Sequence, residues 1–174
     1  MDLALFYCQS ICCALIIGNM NAKKICHLLE TMRWLGVGLG FGLALAWGKD
    51  PQQQLHILMP WLVISLAGLT GIESVFFGQA AAQITGYTPS AYQRQSGINN
   101  IAVALTAVLV LILNWGVFAE AAVLSALLIF LFFSACNHAW SAWKEGNLNL
   151  RNILRPIMTI ILIFASVPFI LRAI

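Results

Sequence analysis

Glu73 is the only acidic residue well inside a predicted apolar stretch of this 174-residue sequence. If the stretch from His56 to Ala82 is one helix, Glu73 lies nine residues, or ~13 Å, from its end. A charged carboxylate at that depth is costly unless it is paired, hydrated or protonated. We therefore expect either a neutral, hydrogen-bonded carboxyl group that joins helices, or a group that carries protons or holds a ligand.

A polar strip containing His138 lies near the end of another apolar stretch. Ser134, His138 and Ser141 are spaced i, i+4 and i+7, which places them on one face of a helix. The imidazole could ligate, shuttle protons or accept a hydrogen bond, and the alternative is a hydrated or capping histidine. Because His138 and Glu73 are predicted to differ in depth by about six residues, or ~9 Å, direct contact is not expected.

The segment from Gln83 to Asn100 concentrates Tyr, Gln, Arg and Asn between two very apolar stretches. Gln93 and Asn100 are its candidate ligand-binding residues. Asn100 is expected in the first turn of the following helix, where a buried amide needs specific partners. The pattern indicates either a binding surface or a well-capped loop with interfacial aromatic residues.

The glycine-rich run from Gly36 to Gly42 superficially matches a phosphate-binding loop. It does not follow a strand in a βαβ unit, so a dinucleotide site is rejected. Within a helix, Gly36 with Gly40 and Gly38 with Gly42 form two small-xxx-small pairs. They predict close packing within the bundle, or contact in a homo-oligomer or larger membrane complex.

The five cysteines lack the spacing of a metal site, and no catalytic or cofactor-attachment motif is found. No metal and no cofactor is therefore expected.

The composition indicates where these residues act. Hydrophobic residues make up 61% of the chain and charged residues 9%, against roughly 45–50% and about 25% in soluble domains. Such a chain cannot coat a folded particle with polar side chains, so its apolar surface is expected to face the lipid bilayer. A soluble globule, a disordered chain, a nucleic-acid-binding module and a disulfide-stapled secreted domain are excluded.

Six apolar stretches predict an all-α polytopic transmembrane bundle of about six helices in a single domain, residues 1–174. They run approximately from Leu3 to Gly18, Thr31 to Trp47, His56 to Ala82, Gly97 to Trp115, Phe118 to Ser141 and Leu154 to Leu171. A span needs about 20 residues, so the first two are short and five helices remain an alternative. The first stretch has no preceding basic residue, which favours a spanning helix over a signal peptide.

The basic residues predict the orientation of the chain. If the six helices alternate, seven basic residues fall on one side and two, Lys49 and Arg172, on the other. The seven are Lys23, Lys24, Arg33, Arg94, Lys144, Arg151 and Arg155. The positive-inside rule then makes their side cytoplasmic and places both termini outside the cytoplasm.

A pattern of glycine, aromatic and amide residues extends from about Gly71 to Pro156. It consists of Phe76, Ala82, Gly86, Tyr87, Ser90, Tyr92, Gln93, Gly97, Asn100, Gly146, Asn147 and Asn152. With these residues the chain resembles an uncharacterised family of small bacterial multi-helix integral membrane proteins, a domain of unknown function. The family pattern has His, Pro and Glu where this chain has Ser74, Ala91 and Gln95. The resemblance implies a protein of the bacterial cytoplasmic (inner) membrane with no established activity. If the family's polar residues form a site, this chain has lost it or has moved the acid to Glu73.

Three functions fit these observations. The first is a non-enzymatic membrane protein that binds a small ligand, lipid headgroup or partner subunit through a cytoplasmic-side polar cluster. The cluster comprises Glu73, Gln93, Asn100, His138, Asn147 and Asn152. The second is a proton-coupled small-solute transporter that uses Glu73, although inverted repeats are not visible. The third is a quinone- or lipid-modifying enzyme with His138 as general base, which lacks a partner acid at the same depth.

Overall fold

The computed structural model describes residues 22–88 and 90–174 of the chain. Over these residues it contains six helices and no strand: α1 Ala22–Trp47, α2 Pro51–Phe76, α3 Gly78–Thr85, α4 Ala91–Ile112, α5 Val117–Lys144 and α6 Leu150–Ala173. The all-α prediction is confirmed. The first predicted stretch, residues 3–18, lies outside the described residues.

Five of these helices, all except α3, are long and apolar enough to cross a membrane. Their outward surfaces carry large exposed apolar side chains, among them Leu35, Leu105, Ile112, Phe133 and Phe164. Soluble monomers rarely expose continuous apolar surface. The exposed surface therefore agrees with the lipid-facing surface that the composition predicts.

The predicted stretch from His56 to Ala82 is two helices rather than one. α2 ends at Phe76, and Phe77 leaves the helical conformation, with φ −123° and ψ 20°, before α3 begins. α3 packs against α1 and α6. The apolar character of the sequence continues through this junction, so hydropathy alone did not reveal it.

Helices begin earlier than predicted because polar residues form their first turns. α4 starts six residues before Gly97, and Ser90 caps it by accepting a hydrogen bond from the backbone N–H of Gln93. α6 starts after the cap residue Asn149, and α1 starts well before Thr31. The Ser-x-x-Gln spacing is the helix-start signature that could have placed the start of α4 correctly.

α2 contains one π turn, Ile64–Gly68, in which the backbone N–H of Leu69 donates to the carbonyl of Ile64. Such a turn adds one residue, which rotates everything after it by about 100° relative to an unbroken α-helix. Glu73 therefore lies on a different face of α2 from the one that uninterrupted periodicity would predict.

The apolar core fills the middle of the bundle, chiefly between α2 and α5. Its fully buried side chains include Leu55, Leu58, Met59, Leu62, Val63, Val110 and Leu124. The buried carboxylates Glu73 and Glu120 lie on either side of this core, towards the two ends of the bundle.

Most basic residues lie at one end of the bundle, which we name the basic end. Lys23, Lys24, Arg94, Lys144, Arg151 and Arg155 lie in the helix turns at this end. Lys49 and Arg172 lie at the opposite end, as predicted. Arg33 is different, because it lies away from the ends of α1 and is buried in the bundle.

Glycines bring α1 close to α2. A Cβ on Gly36 or Gly40 would lie 2.0 or 2.7 Å from side-chain atoms of α2. The predicted packing role within the bundle therefore holds for this pair. Gly38 and Gly42 are exposed with open space around them, so a contact between subunits stays a prediction for these two.

α2 and α4 cross at Gly71 and Gly97. A Cβ on Gly71 would lie 2.8 Å from the carbonyl oxygen of Gly97, and one on Gly97 would lie 3.2 Å from that of Gly71. The crossing matters for the site because Glu73 and Asn100 each lie within three residues of it.

We expect Gly71→Ala to destabilise the fold by about 1–3 kcal/mol, because its Cβ would meet backbone atoms that cannot move aside cheaply. Gly42→Ala, which faces open space, is the matched control and should cost nothing. Thermal unfolding of the purified variants in detergent measures the difference. Equal midpoints for the two variants would contradict the assigned helix crossing.

Candidate functional site

A cavity of about 390 Å³ lies at the basic end, and all six helices contribute to its walls. Four of the six predicted site residues line it: Glu73, Gln93, Asn100 and His138. Arg33 and Arg155 line it as well. Its volume falls within the range of about 300–1,000 Å³ that is typical of small-molecule sites.

Glu73 forms an ion pair with Arg33, whose Nη2 donates to Oε2 of the carboxylate. The two side chains are 6% and 8% exposed, so both charges are taken out of solvent. Their mutual attraction offsets part of the cost of that desolvation. The predicted depth of Glu73 is wrong, because α2 ends at Phe76, only three residues further on. Arg33 lies within α1 and inside the bundle, not at a helix end, because α1 starts at Ala22.

Asn152 is the centre of a second polar cluster, which we name the amide hub: Tyr87, His138, Asn147 and Asn152. The side-chain oxygen of Asn152 accepts from Tyr87 Oη at 2.8 Å and from His138 Nδ1 at 2.7 Å. Its side-chain nitrogen donates to the backbone carbonyls of His138 at 3.2 Å and Asn147 at 2.9 Å. All four hydrogen-bonding positions of this buried amide are used. The amide hub thus joins α5, α6 and the segment that follows α3.

Hydrogen bonds on both ring nitrogens define the state of His138. A guanidinium can only donate, so Arg155 Nη1, 3.2 Å from Nε2, makes Nε2 an acceptor. The ring proton is therefore on Nδ1, which donates it to Asn152. His138 is a neutral imidazole that links the amide hub to Arg155.

Asn147 holds the segment after α3 against the start of α6. Its Nδ2 donates to the carbonyls of Thr85 at 3.1 Å and Gly86 at 3.3 Å. Gly86 has a φ of 78°, and a Cβ there would lie 2.5 Å from Asn147 Oδ1. Both the conformation and the close approach require glycine. Asn147 and Asn152 are not among the cavity-lining residues; they position Tyr87 and His138, which are.

Gln93 and Asn100 both lie on α4 but differ in their partners. Gln93 Nε2 donates to the carbonyl of Gly78 at 2.9 Å, which ties α4 to the junction of α2 and α3. Asn100 is 4% exposed, and its side-chain amide makes no hydrogen bond within residues 22–88 and 90–174. The prediction that Asn100 lies in the first helical turn is wrong, because α4 begins at Ala91. Asn100 therefore offers unused hydrogen-bonding groups to the cavity.

Arg155 is a site residue that sequence reasoning missed. The sequence analysis uses Arg155 only to predict the orientation of the chain, yet Arg155 is partly buried and lines the cavity. A signal was present, because Arg155 falls inside the predicted apolar stretch from Leu154 to Leu171. A basic residue in that position is expected to turn toward a polar interior.

A second buried acid, Glu120, lies at the opposite end of the bundle, so the prediction of a single acid inside the stretches is wrong. Glu120 is 4% exposed, and its Oε1 is 2.6 Å from His56 Nδ1. This pair joins the second turn of α2 to the first turn of α5. Its sequence signal was an acidic residue two positions into the apolar stretch that starts at Phe118.

The fold and the site together define an all-α bundle with five helices able to span a membrane and a polar cavity at its basic end. The sequence matches the profile of a family of unknown function, DUF6790, over residues 28–173, and the chain belongs to this family. The predicted membership of an uncharacterised family is thereby confirmed, while the bacterial origin stays a prediction. No curated protein and no solved structure matches the chain.

Replacing Asn152, the central residue of the amide hub, should lower the free energy of unfolding more than removing the Tyr87 hydroxyl. Asn152→Leu removes the shared acceptor of the Tyr87 hydroxyl and the His138 Nδ1–H, which lie 3.0 Å apart and then have only each other as partners. It also removes the donor to the carbonyls of His138 and Asn147, and we expect about 1–3 kcal/mol for each buried group left without a partner. Tyr87→Phe removes a single hydroxyl and should cost only about 0.5–1.5 kcal/mol. Thermal or denaturant unfolding measures the stability of both variants. Equal losses of stability would show that Asn152 is not the shared acceptor.

The buried ion pair should behave as a coupled unit. Arg33→Met strands the Glu73 carboxylate in the bundle, which we expect to cost about 3–5 kcal/mol. Adding Glu73→Met should recover part of that loss, because no buried charge is then left alone. The double-mutant cycle is completed with Glu73→Met alone, and strictly additive losses would refute the pairing.

Proposed function

We propose that this chain is a membrane protein that binds a small ligand in the cavity at the basic end, and that it acts by binding rather than by catalysis. The observation that carries the proposal is the side-chain amide of Asn100, which has no hydrogen-bond partner among the described residues and lies in the wall of a cavity of about 390 Å³. Buried amides are almost always satisfied within a protein or by bound molecules. An amide that points its unused groups into a cavity of this size is suited to a ligand.

Proton-coupled transport is the weaker alternative on the present geometry. Glu73, on which that hypothesis rests, is engaged by Arg33. Leu58, Leu62 and Leu124 fill the core between the cavity and the opposite end. A transport path would have to open this core, whereas ligand binding requires no such rearrangement.

Catalysis by His138 as a general base is weaker still. A general base must present an unprotonated nitrogen to the substrate. Nε2 of His138 already accepts from Arg155, and Nδ1 carries the proton donated to Asn152. The imidazole is therefore placed to position Arg155 rather than to take a proton from a substrate.

We further propose that the protein resides in a bacterial cytoplasmic membrane with the basic end in the cytoplasm. The excess of Lys and Arg at that end supports this orientation through the positive-inside rule. The end of α6 then lies outside the cytoplasm, and so does the N-terminus if residues 3–18 form a further span. The exposed Gly38 and Gly42 are the candidate contact for a homo-oligomer.

The binding proposal is tested by filling the cavity. Ser134 lines the cavity, whereas its neighbour Phe133 faces outward. We expect native mass spectrometry to find a small-molecule adduct on the unmodified chain and on Phe133→Trp, purified gently from a producing membrane. Ser134→Trp should lose the adduct, because its indole occupies the cavity. An adduct retained by Ser134→Trp, or absent from the unmodified chain, would contradict the proposal.

A further inference from the structure

Two arginines line the cavity, Arg33 and Arg155, and among the described residues only Arg33 contacts a carboxylate. Arg33 pairs with Glu73, and Arg151 pairs with Glu30 at 2.7 Å. These two pairs are electrically neutral, and His138 is neutral as well. The guanidinium of Arg155 has no carboxylate partner in the part of the chain that the structure describes. Glu30 and Glu73, the two glutamates that line the cavity, are thus each engaged by an arginine other than Arg155. The guanidinium of Arg155 is left to contact an anionic ligand directly.

Arg155 also has hydrogen-bonding capacity to spare. A guanidinium carries five N–H donors, and among the described residues one bond is made, from Nη1 to His138 Nε2. That bond anchors the side chain at the cavity wall through His138 and Asn152. The remaining donors can form the parallel pair of hydrogen bonds that a carboxylate or phosphate accepts. Asn100 Nδ2, across the cavity on α4, supplies neutral donors to the same space.

The part of the cavity wall further from the basic end is apolar. Leu66, Leu127, Leu131, Met158 and Leu162 line it, on α2, α5 and α6. A small hydrophilic anion would leave this wall unused. A ligand with an acyl or alkyl chain would cover it and gain roughly 0.8 kcal/mol for each buried methylene group.

We infer that the cavity takes a single-chain amphiphile with one oxyanionic head, a carboxylate or a phosphate, whose head is bound by Arg155 and whose chain packs on the apolar wall. This inference rests on the proposed function and specifies its ligand class. His138 is then a positioning residue, because it holds the guanidinium and does not itself meet the ligand.

The test uses the full chain in phosphatidylcholine nanodiscs, titrated with decanoate, decyl phosphate and the uncharged decanol, with bound molecules counted by native mass spectrometry. We expect decanoate or decyl phosphate to bind at least tenfold more tightly than decanol, which corresponds to about 1.4 kcal/mol. The Arg155→Gln substitution should lower the affinity for that anion to the affinity for decanol. Arg172→Gln, at the other end of α6, should leave all three affinities unchanged.

Several results would overturn the inference. If decanol binds as tightly as both anions, the site does not recognise an oxyanion. This comparison needs only the unmodified chain, so it tests the inference even if Arg155→Gln fails to fold. Unchanged anion binding in a folded Arg155→Gln excludes Arg155 as the head-binding residue. Butyrate or inorganic phosphate binding as tightly as the ten-carbon probes would assign the site to a free acid and exclude the amphiphile.

The cavity-filling variant separates this inference from the proposed function. If Ser134→Trp abolishes binding of all probes while Arg155→Gln affects none of them, the cavity binds ligands but not through an oxyanion, so only the inference fails. If Ser134→Trp leaves the binding of every probe unchanged, the probes are not in the cavity. Both the inference and the proposed function then fail.

Discussion

The side-chain amide of Asn152 is buried in an apolar bundle, so its four hydrogen-bonding positions must find their partners inside the protein. The basic end is organised around this requirement. The amide oxygen accepts hydrogen bonds from His138 Nδ1–H and the Tyr87 hydroxyl, and the amide nitrogen donates to the carbonyls of His138 and Asn147. Because Nδ1 carries the proton, Nε2 is left to accept from Arg155. One residue on α6 therefore determines the protonated nitrogen of a histidine on α5 and, through it, the position of the arginine at the cavity wall.

α2 has a pair of interacting polar side chains near each of its ends and an apolar core between them. His56 pairs with Glu120 at one end, and Glu73 pairs with Arg33 at the other. The π turn between them changes the face of α2, so that Glu73 is turned toward α1 while the preceding turns pack their leucines against α5. This arrangement, polar at the ends and apolar in the centre, is expected of a helix that spans a membrane. The ends of such a helix lie near the lipid headgroups, where water is close and a charge costs less free energy.

The residues that carry the family resemblance are largely those that build the basic end. Gly86 and Asn147 are in contact, Tyr87 and Asn152 share a hydrogen bond, and Gln93 ties α4 to the carbonyl of Gly78. Gly97 makes the crossing with α2 that brings Asn100 to the cavity. Ser74, which stands where the family pattern has His, lines the cavity next to Glu73. Most residues of the family pattern therefore support the cavity wall, and a few of them face the cavity itself.

Much of this protein follows from its sequence alone. The 61% apolar composition and the placement of the charges determine an all-helical bundle with a basic end, because burial of apolar side chains and the cost of charge in lipid depend on residue type and not on neighbours. Candidate polar residues such as Glu73, Asn100 and His138 were identifiable for the same reason. Their partners were not. The pairing of Glu73 with Arg33, the role of Arg155 and the function of Asn152 as a support each depend on where helices start, where α2 breaks and how a π turn rotates it. These features are decided by capping and by contacts between residues 40 or more positions apart, such as Arg33 with Glu73 and Tyr87 with Asn152, which only the tertiary structure brings together.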